Sequence, residues 1–253
     1  MTGQPYYDFM LIALLAIAAI VLVALLFVPA PYGRHARTGW GPTIGTRAGW
    51  VIMESPALLV FVAFYLRGAH ARELVPCVLL GMWLLHYVHR TVIYPLRLRA
   101  SADRRTPLSV VLMAICFNSA NAFVNASWLS EYGRYAPSWL TDPRFLVGML
   151  FFATGYAINR WADEVLRRLR KPGDAGHQIP HGGLYELVSC PNYLGETLEW
   201  LGWAVATWSL AGLVFALFTL ANLLPRALSH HRWYKQQFAD YPPKRRALVP
   251  FIL

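Results

Sequence analysis

Four groups of polar residues lie inside apolar stretches of this 253-residue chain, and each carries side chains able to do chemistry. Glu54 follows Val51, Ile52 and Met53. His86-Tyr87-Val88-His89-Arg90 follows a Leu-rich run. Asn159 and Asp163 are spaced i, i+4. Asn192, Glu196 and Glu199 stand at i, i+4 and i+7 in an otherwise apolar run, so on a helix they share one face. A carboxylate at membrane depth costs roughly 2.5–3.5 kcal/mol, and such groups are kept where they bind something polar or pair inside a bundle. The chemistry available is polar recognition and proton donation inside an apolar cavity. His230-His231-Arg232-Trp233-Tyr234 in the C-terminal part adds to the set.

The elements that must hold these groups are transmembrane helices. The chain is 57% hydrophobic and 14% charged, with a mean hydropathy of +0.38, beyond an ordinary soluble domain. The uncharged run from Phe9 to Tyr32 is long enough to cross about 30 Å of hydrocarbon, and reads as a retained helix, not a signal peptide. Further apolar segments near 49–66, 73–96, 107–129, 144–164, 190–209 and 211–229 give seven spans. Six remain possible if Glu54-Ser55-Pro56 makes the second segment re-entrant. Of the 23 Lys and Arg residues, 18 fall in the loops of one side and 4 (Arg67, Arg72, Arg134, Arg144) in those of the other, with Arg90 inside a span. The positive-inside rule then places the N-terminus outside and the C-terminus in the cytosol. The expected fold class is an all-α, polytopic membrane protein forming a single domain over 1–253, with residues 143–253 supplying most of a cofactor-binding part.

The net charge of +10 follows from this orientation and from contact with anionic lipid heads, and no nucleic-acid partner is expected. The histidine pairs His86/His89, His177/His181 and His230/His231 lack repeated HxxHH boxes, so no metal site is expected. Cys77, Cys116 and Cys190 read as free thiols. No GxGxxG follows a strand, so a dinucleotide would be bound without a Rossmann fold. Arg167, Arg168, Arg170 and Lys171 are candidates to read a cofactor phosphate.

Several strings taken together resemble the steroid 5α-reductase family (3-oxo-5α-steroid 4-dehydrogenases), integral-membrane NADPH-dependent enzymes. They are His86-Tyr87-Val88-His89-Arg90-Thr91, Leu169-Arg170-Lys171-Pro172-Gly173, Ile179-Pro180-His181-Gly182-Gly183-Leu184, Ser189-Cys190-Pro191-Asn192-Tyr193-Leu194-Gly195-Glu196 and His230-His231-Arg232-Trp233-Tyr234. The resemblance implies seven helices, a hydrophobic 3-oxo-Δ4-steroid substrate and NADPH entering from the cytosol. It implies that Tyr87 and Glu54 bind the substrate carbonyl. It also implies that Asn159, Asp163, Arg170, Asn192, Glu196, His230, Tyr234 and Arg245 line the cofactor. The reaction implied is reduction of the Δ4 double bond in a bacterial cytoplasmic or endoplasmic reticulum membrane, with no obligate protein partner. Two departures stand out: Met53-Glu54 replaces the Gln-Glu of animal members, and His177 replaces an aromatic residue before the Gly-Gly turn. The alternatives are a membrane enoyl-CoA or polyprenol reductase, an isoprenylcysteine-type methyltransferase binding S-adenosylmethionine, and a sterol-binding protein without turnover.

Overall fold

The computed structural model describes residues 2–31, 35, 37–98, 105–169 and 177–253. The helices are α1 (Pro5–Phe27), α2 (Thr46–Tyr65), α3 (Leu74–Val88), α4 (Tyr94–Arg97), α5 (Leu108–Ser127), α6 (Pro143–Leu169), α7 (Pro191–Thr207) and α8 (Leu210–Gln237). A π-helical turn, His89–Ile93, joins α3 to the short α4, so these three make one rod. Seven helical rods thus fall in order on the seven apolar segments of the sequence. Among the described residues, α1, α2, the run Leu108–Tyr132 and α8 are long and apolar enough to cross a membrane.

α1 starts at Pro5, whose fixed φ suits a first helical position, and stops at Phe27 because Val28 precedes Pro29 and is forced extended (φ −126°, ψ 102°). The expected span 9–32 is therefore shifted toward the N-terminus. Glu54-Ser55-Pro56 does not break the second segment: α2 runs on through Pro56, and Ser55 Oγ donates to the Val51 carbonyl at 2.6 Å. A small antiparallel ladder, β1 (Thr43–Gly45) with β2 (Arg105–Pro107), closes the loop end of α2 and α5 and was not expected from the sequence.

α6 and α7 pack antiparallel along a seam of glycines. A Cβ on Gly155 would lie 2.3 Å from the Glu199 amide nitrogen and 2.5 Å from the Gly195 carbonyl oxygen, and one on Gly202 would lie 2.3 Å from the Phe152 amide nitrogen. Backbones this close hold the Asn159/Asp163 turn of α6 against the Asn192/Glu196 turn of α7. Gly155→Val is expected to destabilise the fold by about 1–3 kcal/mol or more, since two backbones must separate. Gly81→Ala, which meets nothing within 4 Å, is the neutral control. Thermal denaturation followed by tryptophan fluorescence checks this, and equal transitions for both variants would refute the seam.

The outer surface of α1 is apolar and exposed, with Phe9, Ile12, Ile20 and Phe27 facing outward, as a lipid-facing helix requires. Inside, Trp83, Trp200, Trp203, Phe61 and Phe152 form a fully buried aromatic core joining α2, α3, α6 and α7. Trp83 Nε1 donates to the Ala57 carbonyl at 2.8 Å, satisfying its one polar atom.

Candidate active site

A cavity of about 1190 Å³ runs through the bundle, larger than the 300–1,000 Å³ typical of a site for one small molecule. Part of its wall is apolar: Leu14 and Ile17 from α1, Met53 from α2, Met113 and Phe117 from α5, Phe218 from α8. The rest is charged: Arg90, Arg160, Asp163, Glu196 and Arg226, with Asn192 and His230.

Glu54 sits where the two meet. Its Oε2 accepts from Asn118 Nδ2 at 3.5 Å, and its Oε1 lies 3.8 Å from Arg90 Nε. Asn118 is itself fixed by donating to the Met53 carbonyl at 2.6 Å. Tyr87 lines the same cavity, with its ring packed between Trp83 and Trp200 (centroids 4.7 and 5.7 Å). Among the described residues no side chain or carbonyl is hydrogen-bonded to the Tyr87 hydroxyl. A phenol otherwise buried to 4% exposure thus offers an unused donor to whatever occupies the cavity.

Arg90 is the hub of the charged wall. Its Nε, Nη1 and Nη2 lie 3.8 Å from Glu54, Asp163 and Glu196 respectively, beyond hydrogen-bond distance in each case. Its guanidinium rests on the Trp50 and Tyr94 rings (4.7 and 5.1 Å). The π-helical turn aims it there. Pro95 has no N–H for the Thr91 carbonyl, and the wider turn, with Tyr94 N bonded to the His89 carbonyl, relieves the clash. The sequence marked Arg90 as the end of a polar string and a charge within a span, without the three carboxylates that it faces.

The residues expected to line a cofactor divide. Asp163, Asn192, Glu196, His230 and Tyr234 line the cavity. Asn192 Nδ2 donates to Asp163 Oδ1 at 3.2 Å, leaving Asp163 Oδ2 buried with no hydrogen bond and only the longer approaches of Arg90 (3.8 Å) and Arg160 (4.0 Å). His230 is flanked by His35 (3.1 Å) and the Tyr193 hydroxyl (3.2 Å), and Tyr234 stacks on Tyr241. Asn159 stands behind the wall, donating to the Asn192 carbonyl (2.8 Å) and Glu196 Oε2 (3.3 Å), while Arg160 contacts both Asn159 and His89.

Arg245 is away from the cavity. It is buried beneath Tyr241 and donates to the Pro180 carbonyl (2.9 Å) and Glu186 (3.3 Å), pinning the loop before the Gly-Gly turn. The Gly182 amide and Arg245 together hold the exposed Glu186 carboxyl below its ordinary pKa. Arg170 and Lys171 lie outside the described residues. Arg167 and Arg168 both pair with Glu164, which Arg97 also reaches. Glu199, expected on the Asn192/Glu196 face, is instead sealed against His86.

A family model described as 3-oxo-5-alpha-steroid 4-dehydrogenase matches residues 104–253. The protein named steroid 5-alpha-reductase DET2 from Gossypium hirsutum is 46% identical over 255 residues, covering 99% of each chain. The protein of the same name from Arabidopsis thaliana is 43% identical, over 98% of this chain and 97% of its own. The 3-oxo-5-alpha-steroid 4-dehydrogenase 1 of Rattus norvegicus is 44% identical over 93% of this chain and 91% of its own. The chain belongs to the 3-oxo-5-alpha-steroid 4-dehydrogenase family. Membership in this family of oxidoreductases points to a nicotinamide cofactor, and its apolar helices mark a membrane protein. The charged wall fits such a group. Asp163 Oδ2 is an acceptor without a hydrogen bond, and the Arg90 donors are too far from their carboxylates to be used up, so a ligand bearing both donors and acceptors would complete them.

Proposed function

We propose that this chain is an NADPH-dependent membrane reductase that saturates the Δ4 double bond of 3-oxo-Δ4-steroids to give 5α-reduced 3-oxo-steroids. One observation carries the reading. The unused Tyr87 hydroxyl and Glu54 line the same cavity, whose wall is part apolar and part charged, as a ketone at one end of an apolar polycyclic substrate requires.

A reduced nicotinamide, when bound against this wall, would supply the hydride that the β-carbon of the enone gains. Negative charge then develops on the ketone oxygen, where Tyr87 donates a hydrogen bond and Glu54, when protonated, donates a second. A donor aimed at such an oxygen is worth roughly 10²–10³ in rate. Asn192, Asp163, Glu196 and Arg90 would bind and orient the cofactor's polar end. The low-dielectric cavity excludes bulk water and strengthens each of these interactions. Arg97, Arg105, Arg160, Arg167 and Arg226 on the cavity wall favour a phosphorylated cofactor. The helical rods and the asymmetry of basic loops support seven spans, an outside N-terminus, a cytosolic C-terminus and a cofactor mouth facing the cytosol. The bilayer is a bacterial cytoplasmic or endoplasmic reticulum membrane. The chain acts as a single domain, with the 143–253 part supplying most cofactor contacts.

The test uses the detergent-purified protein, a 3-oxo-Δ4-steroid and either NADPH or NADH, with products identified by mass spectrometry. A 5α-reduced ketone is expected. One extra charge-assisted contact, about 1.5–3 kcal/mol, makes kcat/KM for NADPH roughly 10–100 times that for NADH. Equal values would refute the phosphate preference, and absence of product with bound cofactor would refute the reaction.

A further inference from the structure

Reduction of an enone adds a hydride at the β-carbon and a proton at the α-carbon, and the groups above account only for the first and for the oxygen. One buried pair is left without a role. His86 (2% exposed) lines the cavity beside Tyr87, with ring centroids 4.9 Å apart, and Trp200 closes its other side at 4.6 Å. Its Nδ1 lies 2.8 Å from Oε1 of Glu199, which is fully buried. Among the described residues its Nε2 has no hydrogen-bond partner, and Glu199 Oε2 is sealed with none.

A pair retained only for packing would satisfy its atoms or be apolar, because a half-paired buried carboxylate costs several kcal/mol. A carboxyl on one ring nitrogen and a cavity on the other is instead the arrangement that fixes a histidine tautomer and lets the free nitrogen exchange protons. The charged groups facing His86 are Glu196 and Glu199 on α7, Arg160 on α6 and Arg90 on its own rod.

We propose that His86, oriented by Glu199, delivers the proton to the α-carbon, a role that rests on the reductase reading above. As the β-carbon gains its C–H bond, the π electrons shift toward the ketone oxygen held by Tyr87. The electron pair at the α-carbon then takes the proton from His86 Nε2, whose N–H bond breaks with its electrons staying on nitrogen. As Nε2 loses its proton, Nδ1 takes the proton of the Glu199 carboxyl that it accepted from, so the imidazole stays neutral and Glu199 is left as the carboxylate. A solvent proton entering through the cavity mouth then adds to Nε2 while Nδ1 returns its proton to Glu199. Tyr87 holds the oxygen, and the His86 ring lies 4.9 Å from the Tyr87 ring on the same cavity wall, so the donor stands beside the part of the substrate that carries the α-carbon.

The reverse half of this step needs no hydride and can be read without cofactor. The saturated 3-oxo-5α-steroid is incubated with the protein in deuterated buffer, and deuterium entering the α-position is followed by mass spectrometry. The parent is expected to exceed the buffer rate, with His86→Gln falling by about 10²-fold or more. Glu199→Gln, a positioning change, is expected to fall by roughly 10-fold and to shift the pH dependence of exchange. Parent exchange no faster than buffer, or parent-like exchange by His86→Gln, would overturn the assignment. Should His86→Gln not fold, Glu199→Gln decides, and an unchanged rate and pH profile would overturn it equally. A parent that yields no 5α-reduced product in the turnover assay refutes the reaction itself. A parent that yields product while His86→Gln exchanges normally refutes only the proton donor.

Discussion

Tyr87→Phe is expected to lower turnover of a 3-oxo-Δ4-steroid by about 10²-fold or more while leaving cofactor affinity nearly unchanged. The substitution keeps the ring between Trp83 and Trp200 and removes only a hydroxyl that has no partner in the described protein, so packing should survive. The loss should fall on kcat, because the hydrogen bond strengthens as charge collects on the oxygen. Glu54→Gln should lose less, since an amide can still donate and still meet Asn118. If the two groups serve one oxygen, the double variant should lose less than the product of the single losses. Steady-state kinetics with cofactor binding measured by tryptophan quenching checks all three. A Tyr87→Phe enzyme that turns over at the parent rate would remove the ketone site and favour the enoyl-reductase or methyltransferase alternative.

The order of helices was legible because span length and charge are coarse properties that packing does not overturn. Seven apolar segments became seven rods, and Pro29 alone shifted the end of the first. Of the candidate site residues, Glu54, Tyr87, Asp163, Asn192, Glu196, His230 and Tyr234 line one cavity, but their depth along it was not legible. Asn192, Glu196 and Glu199 do share a helical face, but seven residues are about 10 Å along the axis. At that lower level Glu199 meets His86 of α3, while Asn192 and Glu196 meet α6 and the cavity. Periodicity gives azimuth and says nothing of what stands opposite. Arg245, which the resemblance placed at the cofactor, lies away from the cavity, because its partners, Pro180 and Glu186, come from a loop some 60 positions earlier. The π-helical turn at His89–Ile93 was illegible in spacing alone, although Pro95 is its cause.

Arg90→Met is expected to have the largest combined effect on stability and binding. Glu54, Asp163 and Glu196 surround this one guanidinium at 3.8 Å each, and the next cation, Arg160, reaches only Asp163, at 4.0 Å. Methionine keeps the length and part of the contact with Trp50 and Tyr94 but strands three carboxylates at membrane depth. Breaking a buried pair by removing one partner costs about 3–5 kcal/mol, on the order of 10 °C in the melting of a chain this size. Cofactor affinity should fall by roughly 10²-fold, because the wall left behind is a cluster of like charges. Arg90→Lys should recover part of the stability and little of the affinity, since one ammonium cannot face three carboxylates as a planar fork does. Adding Glu196→Gln to Arg90→Met removes one stranded charge and should raise the melting temperature again without restoring turnover. Thermal unfolding and cofactor titration of the three variants separate these effects. An Arg90→Met protein that melts with the parent would show that these carboxylates need no compensation, and the charged wall would then have to be assigned another role.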